Sequence, residues 1–494
     1  MPRLKHLLLV NCLVLLVTSC FKDQDDYPVV SQDINDFVWK GLNAFYLYKD
    51  QVPDLADTRF GNQTDYNNYL SGFSAPEDLF YNLLYNRTTE DRFSWITDDY
   101  IALEQQFSGQ SVSHGMEYGL VKFSQSNTVF GYVRYVLPNT EAEAKGIKRG
   151  DIFNRVDGVD LYYNSASDTN IGLMQGDNYT IGLATYNDNG TPETSDDFIS
   201  ETDTDIELIK SNYTENPIYL HKTIEQSGQK IGYLMYNGFT GTDAFDSQLN
   251  AVFGQFKSEA INDLVLDLRY NPGGSVQTAT WLASMITGQF TGEVFVKEQW
   301  NSYWQSYFES QNPDALLNPF VDEMIKRNSN NSTVFQETIN HLQLNRVYVI
   351  TSASTASASE LIINGLKPYI EVIQIGDVTV GKYQASRTLY DSPDFSKDGV
   401  NPTHTYAMQP LIFKSLNVND VTDYFEGLTP QIFIKEQYGN LGVLGDVNEP
   451  LLQEALAAIL GTNRTGVHKH LNTSYQYLSN SKALQPLPNA MYIN

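Results

Sequence analysis

The sequence predicts an α/β protein in three parts: a small helical N-terminal domain, a β-rich module and a larger domain of alternating strands and helices. Three observations carry that reading. Apolar residues recur at helical spacing over 31–48, alternation broken by glycines runs through 106–205, and strand, glycine turn and helix repeat after residue 230. At about 150 residues per domain, a chain of 494 residues has room for roughly three cores.

A leader precedes these parts. Arg3, Lys5 and His6 stand before the apolar run 7–17, which is too short to span a bilayer and stops at Thr18-Ser19-Cys20. The basic start, apolar run and Val-Thr-Ser-Cys box resemble a bacterial lipoprotein signal, whose removal leaves Cys20 as the lipid-bearing first residue. On this reading 1–19 is the signal peptide and 20–28 a polar tether. The protein is exported and held by its lipid to a cell-envelope membrane, on the periplasmic or outer surface. An ordinary secretory signal is the alternative. Cys12 and Cys20 are the only cysteines, so no disulfide remains after cleavage and lipidation.

Between Ser31 and Tyr48, residues Ile34, Phe37, Val38, Leu42, Phe45 and Tyr46 favour one helical face. A second helix is expected after Ser74-Ala75-Pro76-Glu77, where Ser and Glu have capping-box spacing and Pro falls in the first turn. Residues 29–105 are thus a helical domain without visible chemistry. Strands are expected at 118–121, 129–136 and 151–158, and Asn189 to Asp205 reads as an exposed loop. Pro138 to Asp151 resembles the short helix and turn of a PDZ domain, a module that takes an extended peptide as an added strand. The resemblance makes 106–205 PDZ-like and puts Tyr118, Gly119 and Leu120 on the binding edge. A packing module that meets no peptide is the alternative.

The third part, 206–462, opens with a strand at 230–236, a helix over 242–258 and a buried strand at 264–269, and the pattern returns at 347–350 and 372–375. Three turns within it hold candidate chemistry. Asn271-Pro272-Gly273-Gly274 follows the buried strand, and its glycines let backbone N–H groups approach a ligand. Thr355-Ala356-Ser357-Ala358-Ser359-Glu360 opens a helix, with Ser357 on the turn. The run from Gly376 through Gly381 to Lys382 is the third.

Composition removes several classes of function. With 32 Lys and Arg against 59 Asp and Glu, the net charge of −27 repels phosphate backbones, so no nucleic-acid partner is expected. At 41% hydrophobic and 13% aromatic residues, the chain is no disordered acidic tail. Gly376-x4-Gly381-Lys382 mimics a phosphate-binding loop, but Tyr383 stands where a hydroxyl would hold magnesium, and 384–397 shows no helix. There is no His-Glu-x-x-His, and His468-x-His470 is too isolated to close a metal site. No cofactor is implied.

In their order along the chain, the N-P-G-G turn, the T-A-S-A-S-E helix start, the downstream Gly381-Lys382 and Gly427-Leu428-Thr429-Pro430 resemble the carboxyl-terminal processing (tail-specific) serine peptidases. The resemblance covers about residues 106–460. It implies a ClpP/crotonase-like α/β catalytic domain and an endopeptidase acting on proteins or peptides near their C-terminal tails. Carried over by position, Ser357 is the nucleophile, Lys382 the general base, and Gly273 or Gly274 with Ala358 the oxyanion donors. Glu360 or Gln384 would orient Lys382. The chain departs from the pattern at Thr355, which stands for the first serine, and at Ser386, where many members carry glutamine. The interval from Gly274 to Ser357 is long, and Trp300 to Asn331 reads as an insertion that caps the cleft or decorates the surface.

The physical chemistry of these residues agrees. A serine hydroxyl needs a neighbour to take its proton, and lysine does so only as the neutral amine, which burial favours. A helix start after a tight turn offers unpaired N–H groups to developing negative charge. Set against this, Ser357-x-x-Glu360 is also a capping box that any helix uses for stability. Two further readings remain: a catalytically silent peptide-binding lipoprotein of the same architecture, and a scaffold protein rich in surface tyrosine and asparagine. Residues 463–494 form a weakly patterned tail, and the oligomeric state is not legible.

Overall fold

The structure, a computed structural model, describes residues 31–191, 194–462, 475–485 and 491–493. The expected signal peptide, Cys20, the tether, His468 and His470 lie outside the described residues. No helix among them is long and apolar enough to cross a membrane.

The N-terminal part is built on α1 (Ser31–Phe45), α2 (Gln63–Leu70) and α3 (Pro76–Asn82). Ser74 does not cap α3. Ala75 stands at the N-cap, Pro76 sets the first turn, and Ser74 Oγ reaches Asp78 Oδ2 at 3.2 Å instead. Phe37, Val38 and Leu42 share their core with Leu389, Met408 and Leu411 from far along the chain. The core of this part is therefore not self-contained. The segment read as an insertion forms a helix at Ser302–Gln311 whose Trp304 stacks on Phe45 at 5.4 Å and donates to Ala44 O at 2.8 Å. It docks on α1.

The β-rich module is an antiparallel sheet of β1 (Met116–Phe123), β2 (Val129–Val136), β3 (Ile152–Val156), β4 (Asn178–Asn187) and β5 (Phe198–Ile209), adjacent in that order. Residues 198–205, expected as loop, belong to β5. An edge strand needs no apolar outer face, and its acidic and hydroxyl residues pair with β4 across a bulge between Glu201 and Asp205. A short helix, Glu141–Ala144, follows Pro138.

The third part is a six-stranded sheet. β6 (Ile218–Gln226), not anticipated from sequence, pairs antiparallel with β7 (Gln229–Tyr236). The chain continues through α4 (Asp243–Glu259), β8 (Asp263–Asp267), α5 (Val276–Ile286), β9 (Arg346–Thr351), α6 (Ala358–Leu366) and β10 (Glu371–Gly376). After the short β11 (Gln384–Ser386) come β12 (Ile432–Phe433), α7 (Pro450–Leu460) and β13 (Tyr475–Asn480). From β7 through β8, β9 and β10 to β12 the pairing is parallel. Successive side chains of each strand enter opposite cores, which explains the unbroken apolar runs. Leu234, Leu264, Leu266, Val347 and Val349 pack under α4, α5 and α6, whereas Tyr233, Met235, Val265, Tyr348 and Ile350 pack against α7.

Arg269, just past β8, is wholly buried. Its guanidinium makes bonds of 2.8–3.1 Å to the Asp267 carboxylate and of 2.6 and 3.0 Å to Glu449, which also caps α7. Removing one partner of such a buried set strands the other charges and costs roughly 3–5 kcal/mol. Arg269→Leu should therefore lower the free energy of unfolding by about that amount, measured by denaturant titration.

Candidate active site

Turns leaving the C-terminal ends of the parallel strands β8, β9 and β10 meet at one place, and they are the three turns singled out in the sequence. The serine loop is bolted to both neighbours. Ala356 N donates to Asn271 O at 3.1 Å, Thr355 Oγ1 to Leu268 O at 2.9 Å, and Val380 N to Thr355 O at 3.0 Å.

Ser357 is the N-cap of α6, with φ 67° and ψ −118°. A non-glycine residue held there stores backbone strain of order 1–3 kcal/mol, which persists only where the surroundings enforce it. Here Ser357 N donates to Glu360 Oε2 at 2.7 Å. The other arm of the capping box, Oγ toward the Glu360 N–H, is an approach rather than a bond: Oγ is buried without a hydrogen-bond partner among the described residues. The capping reading thus accounts for the Glu360 carboxylate but not for the serine hydroxyl.

Gly273 has φ 105°, and a Cβ there would lie 2.5 Å from Ser357 Cβ and 2.7 Å from its Oγ. Only glycine lets the turn approach the serine this closely. Gly273 N, however, already donates to Asn271 Oδ1 at 2.8 Å. Of the three candidate oxyanion donors, Gly274 N and Ala358 N have no acceptor among the described residues. Gly274, at φ 135°, has its missing Cβ directed at the Phe239 carbonyl.

Glu360 does not touch the Lys382 amine. Its Oε2 accepts the backbone N–H groups of Ser357 and Lys382, the latter at 2.8 Å, while Oε1 accepts Gly381 N at 2.7 Å and Thr379 Oγ1 at 2.5 Å. One carboxylate thereby ties the serine turn to the lysine loop. Burial pushes the Glu360 carboxyl up to about 7, opposed by these donors, which favour its anion. Burial likewise pushes the Lys382 amine down to about 7, with Asp91 and then Glu360 favouring its charged form. Lys382 Nζ is buried without a hydrogen-bond partner among the described residues, and the Phe93 ring lies 4.9 Å away. Ser357 Oγ and Lys382 Nζ are not hydrogen-bonded to each other.

Gln384 does not orient Lys382. Its Nε2 donates to Tyr48 OH at 3.0 Å and its Oε1 is unpartnered among the described residues. Lys382 is followed by a strand rather than a helix, so the phosphate-loop geometry is absent there. Tyr118, Gly119 and Leu120 do not form an open edge either. β13 pairs antiparallel with β1 along the side away from β2, with Asn480 opposite Gly119 and Ser479 opposite Leu120. The tail was unreadable as strand because its partner is hundreds of residues distant.

Residues 230–397 match the profile of Peptidase family S41, and residues 33–95 that of the Peptidase S41 N-terminal domain. Residues 230–397 thus carry a peptidase family S41 domain. The chain is 25% identical over 258 residues to a carboxyl-terminal-processing protease of Picosynechococcus sp., covering 52% of each chain. To the carboxy-terminal processing protease CtpB of Bacillus subtilis it is 25% identical over 225 residues, 45% of this chain and 38% of that one. The chain thus spans about half or less of the length of these curated relatives. A solved structure from Bacteroides fragilis, described as an S41 protease, shares the fold with a TM-score of 0.62 and 21% identity, over 89% of this chain and 99% of that one.

Sequence reasoning missed what the N-terminal part contributes. Arg92 Nη2 donates at 2.9 Å to both Gly381 O and Phe425 O, Phe93 covers the Lys382 amine, and Asp91 is the anion that most favours its charged form. No motif in 90–93 signals this. It follows from the shared core alone.

Burial favours neutral Lys382 above about pH 7, so on the expectation that this amine takes the serine proton, reaction of Ser357 with a serine-directed phosphonate should rise with pH through about 7. Asp91→Asn removes an anion that favours the ammonium, so the rising limb should move to lower pH. Gly273→Ala should cut the labelling rate by about a hundredfold by displacing Ser357, with the far-UV spectrum retained.

Proposed function

We propose that this protein is an exported serine endopeptidase that cleaves proteins or peptides near their C-terminal tails through a Ser357/Lys382 dyad. The observation that carries the reading is a pair of buried side chains, Ser357 Oγ and Lys382 Nζ, left without hydrogen-bond partners on two loops joined by Glu360. Burial stabilises the neutral amine, the form a general base requires. The match of residues 230–397 to Peptidase family S41 and the carboxyl-terminal processing named in the curated relatives support the substrate class.

In the proposed reaction, Lys382 Nζ takes the Ser357 proton as Oγ attacks the scissile carbonyl. The tetrahedral oxyanion is held by the N–H groups of Gly274 and Ala358, which have no other acceptor among the described residues. Lys382 returns the proton to the leaving amine, and the C–N bond breaks to give an acyl-enzyme. Water, activated by the same amine, then releases the acid and restores the serine. Oγ and Nζ must close to hydrogen-bonding distance when substrate binds.

That same unmade bond favours one other reading, a peptide-binding protein without catalysis. Ser357→Ala and Lys382→Ala should each abolish cleavage of an unfolded protein, and Lys382→Arg should be equally inactive because a guanidinium cannot serve as neutral base. A serine-directed phosphonate should label Ser357 in the wild type alone. Undiminished proteolysis in purified Ser357→Ala would overturn the assignment. The lipid anchor, proposed from the Val17 to Cys20 box, predicts that Cys20→Ser abolishes incorporation of labelled fatty acid into the chain.

A further inference from the structure

We propose that the segment around β13 is a built-in occupant of the substrate path, and that Tyr477 couples its presence on β1 to the serine loop. The inference rests on the peptidase reading for its consequence, though not for its geometry.

β13 occupies β1 in the manner of an added peptide strand. Tyr475 lies opposite Phe123 and Asn480 opposite Gly119, and the pairing ends with Ser481 N donating to Tyr118 O at 3.0 Å and Tyr118 N to Ser481 Oγ at 3.1 Å. Leu478 and Leu484 pack on the module's core beside Tyr118, Leu120 and Met174. Main-chain pairing combined with a side-chain slot is how strand-adding modules hold extended ligands. A displacing peptide therefore needs an extended backbone, a leucine-sized residue where Leu478 sits, and a hydroxyl to meet the Glu117 carboxylate, as Ser481 Oγ does at 2.5 Å.

From β13, Tyr477 reaches across to the site. Its hydroxyl lies 3.2 Å from Arg134 Nη2 on β2 and 3.0 Å from Ser354 Oγ, and Arg134 Nη2 donates to Ser354 Oγ at 2.8 Å. Ser354 stands on the turn that ends at Ser357. The same end of the chain also walls the oxyanion turn. Tyr492 N donates to Gly274 O at 3.2 Å and Val276 N to Tyr492 O at 3.1 Å, while Met491, wholly buried, accepts from Ser386 N at 2.8 Å. The cavity at Gly273 and Gly274 holds about 80 Å³ and is lined in part by Lys482, Gln485 and Tyr492. Ser357 is 0% and Lys382 2% exposed, so the arrangement described is a closed one that no polypeptide enters without displacement. The exchange proposed is of β13, while Met491 stays buried.

Gln476 lies opposite Lys122, and directly opposed residues of an antiparallel pair are within the span of a disulfide. The full chain carrying Lys122→Cys and Gln476→Cys has β13 locked when oxidised and free when reduced. A fluorescent peptide of residues 475–485 should bind the reduced form at least roughly tenfold more tightly than the oxidised form. Equal binding to both forms, or none to the reduced form, would overturn the proposal. Phosphonate labelling of Ser357 and casein cleavage should be slowed by a similar factor in the oxidised form and restored by reductant; equal rates would overturn the coupling. Tyr477→Phe, which keeps the ring and loses the hydroxyl, should accelerate labelling, and an unchanged rate would remove Tyr477 from the relay. Reductant-dependent peptide binding with no cleavage or labelling in either form would leave the occupant in place and sink the peptidase reading alone.

Discussion

The Glu360 carboxylate is the constraint on which the candidate site depends. A carboxylate in a protein interior is costly unless its lone pairs are taken, and here three backbone N–H groups and a threonine hydroxyl take them. Those donors come from two loops separated by a helix and a strand, so the anion sums their positions into one rigid unit. Glu360, expected to orient Lys382, meets that residue at its backbone N–H. It fixes the main chain from which the lysine amine hangs.

The N-terminal and α/β parts of the chain are mechanically one at this point. Arg269 clamps the end of β8 to the cap of α7, directly before the glycine turn, so that turn inherits the rigidity of a buried ion network. The N-terminal helices close over the lysine loop through Arg92 and Phe93 because their core is completed by Leu389, Met408 and Leu411. The low-dielectric setting of the lysine is thus made jointly by two regions that a linear reading keeps apart.

Much of the architecture was legible. Strands buried on both faces announce themselves as apolar runs, and glycine-rich turns mark where they end, so β7, β8, β9 and β10 fell where periodicity put them. What escaped was whatever depends on a distant partner. β5 looked like a loop because an edge strand carries polar residues freely, and β13 lacked any local sign of pairing with β1. Within the site, residue types and order were readable from the motif, whereas the bond from Gly273 N to Asn271, the partners of Gln384 and the proximity of Phe93 to Lys382 are three-dimensional facts. Sequence names the groups; only packing tells which of their atoms are already spoken for.

The positive φ at Ser357 limits what evolution can do with this nucleophile. A β-branched side chain is a steric outlier in that region of backbone space, because its second γ atom meets the main chain. Threonine, which elsewhere serves hydrolases as an attacking hydroxyl, is thereby barred at this turn. Cysteine, unbranched at Cβ like serine and close to it in size, meets no such penalty.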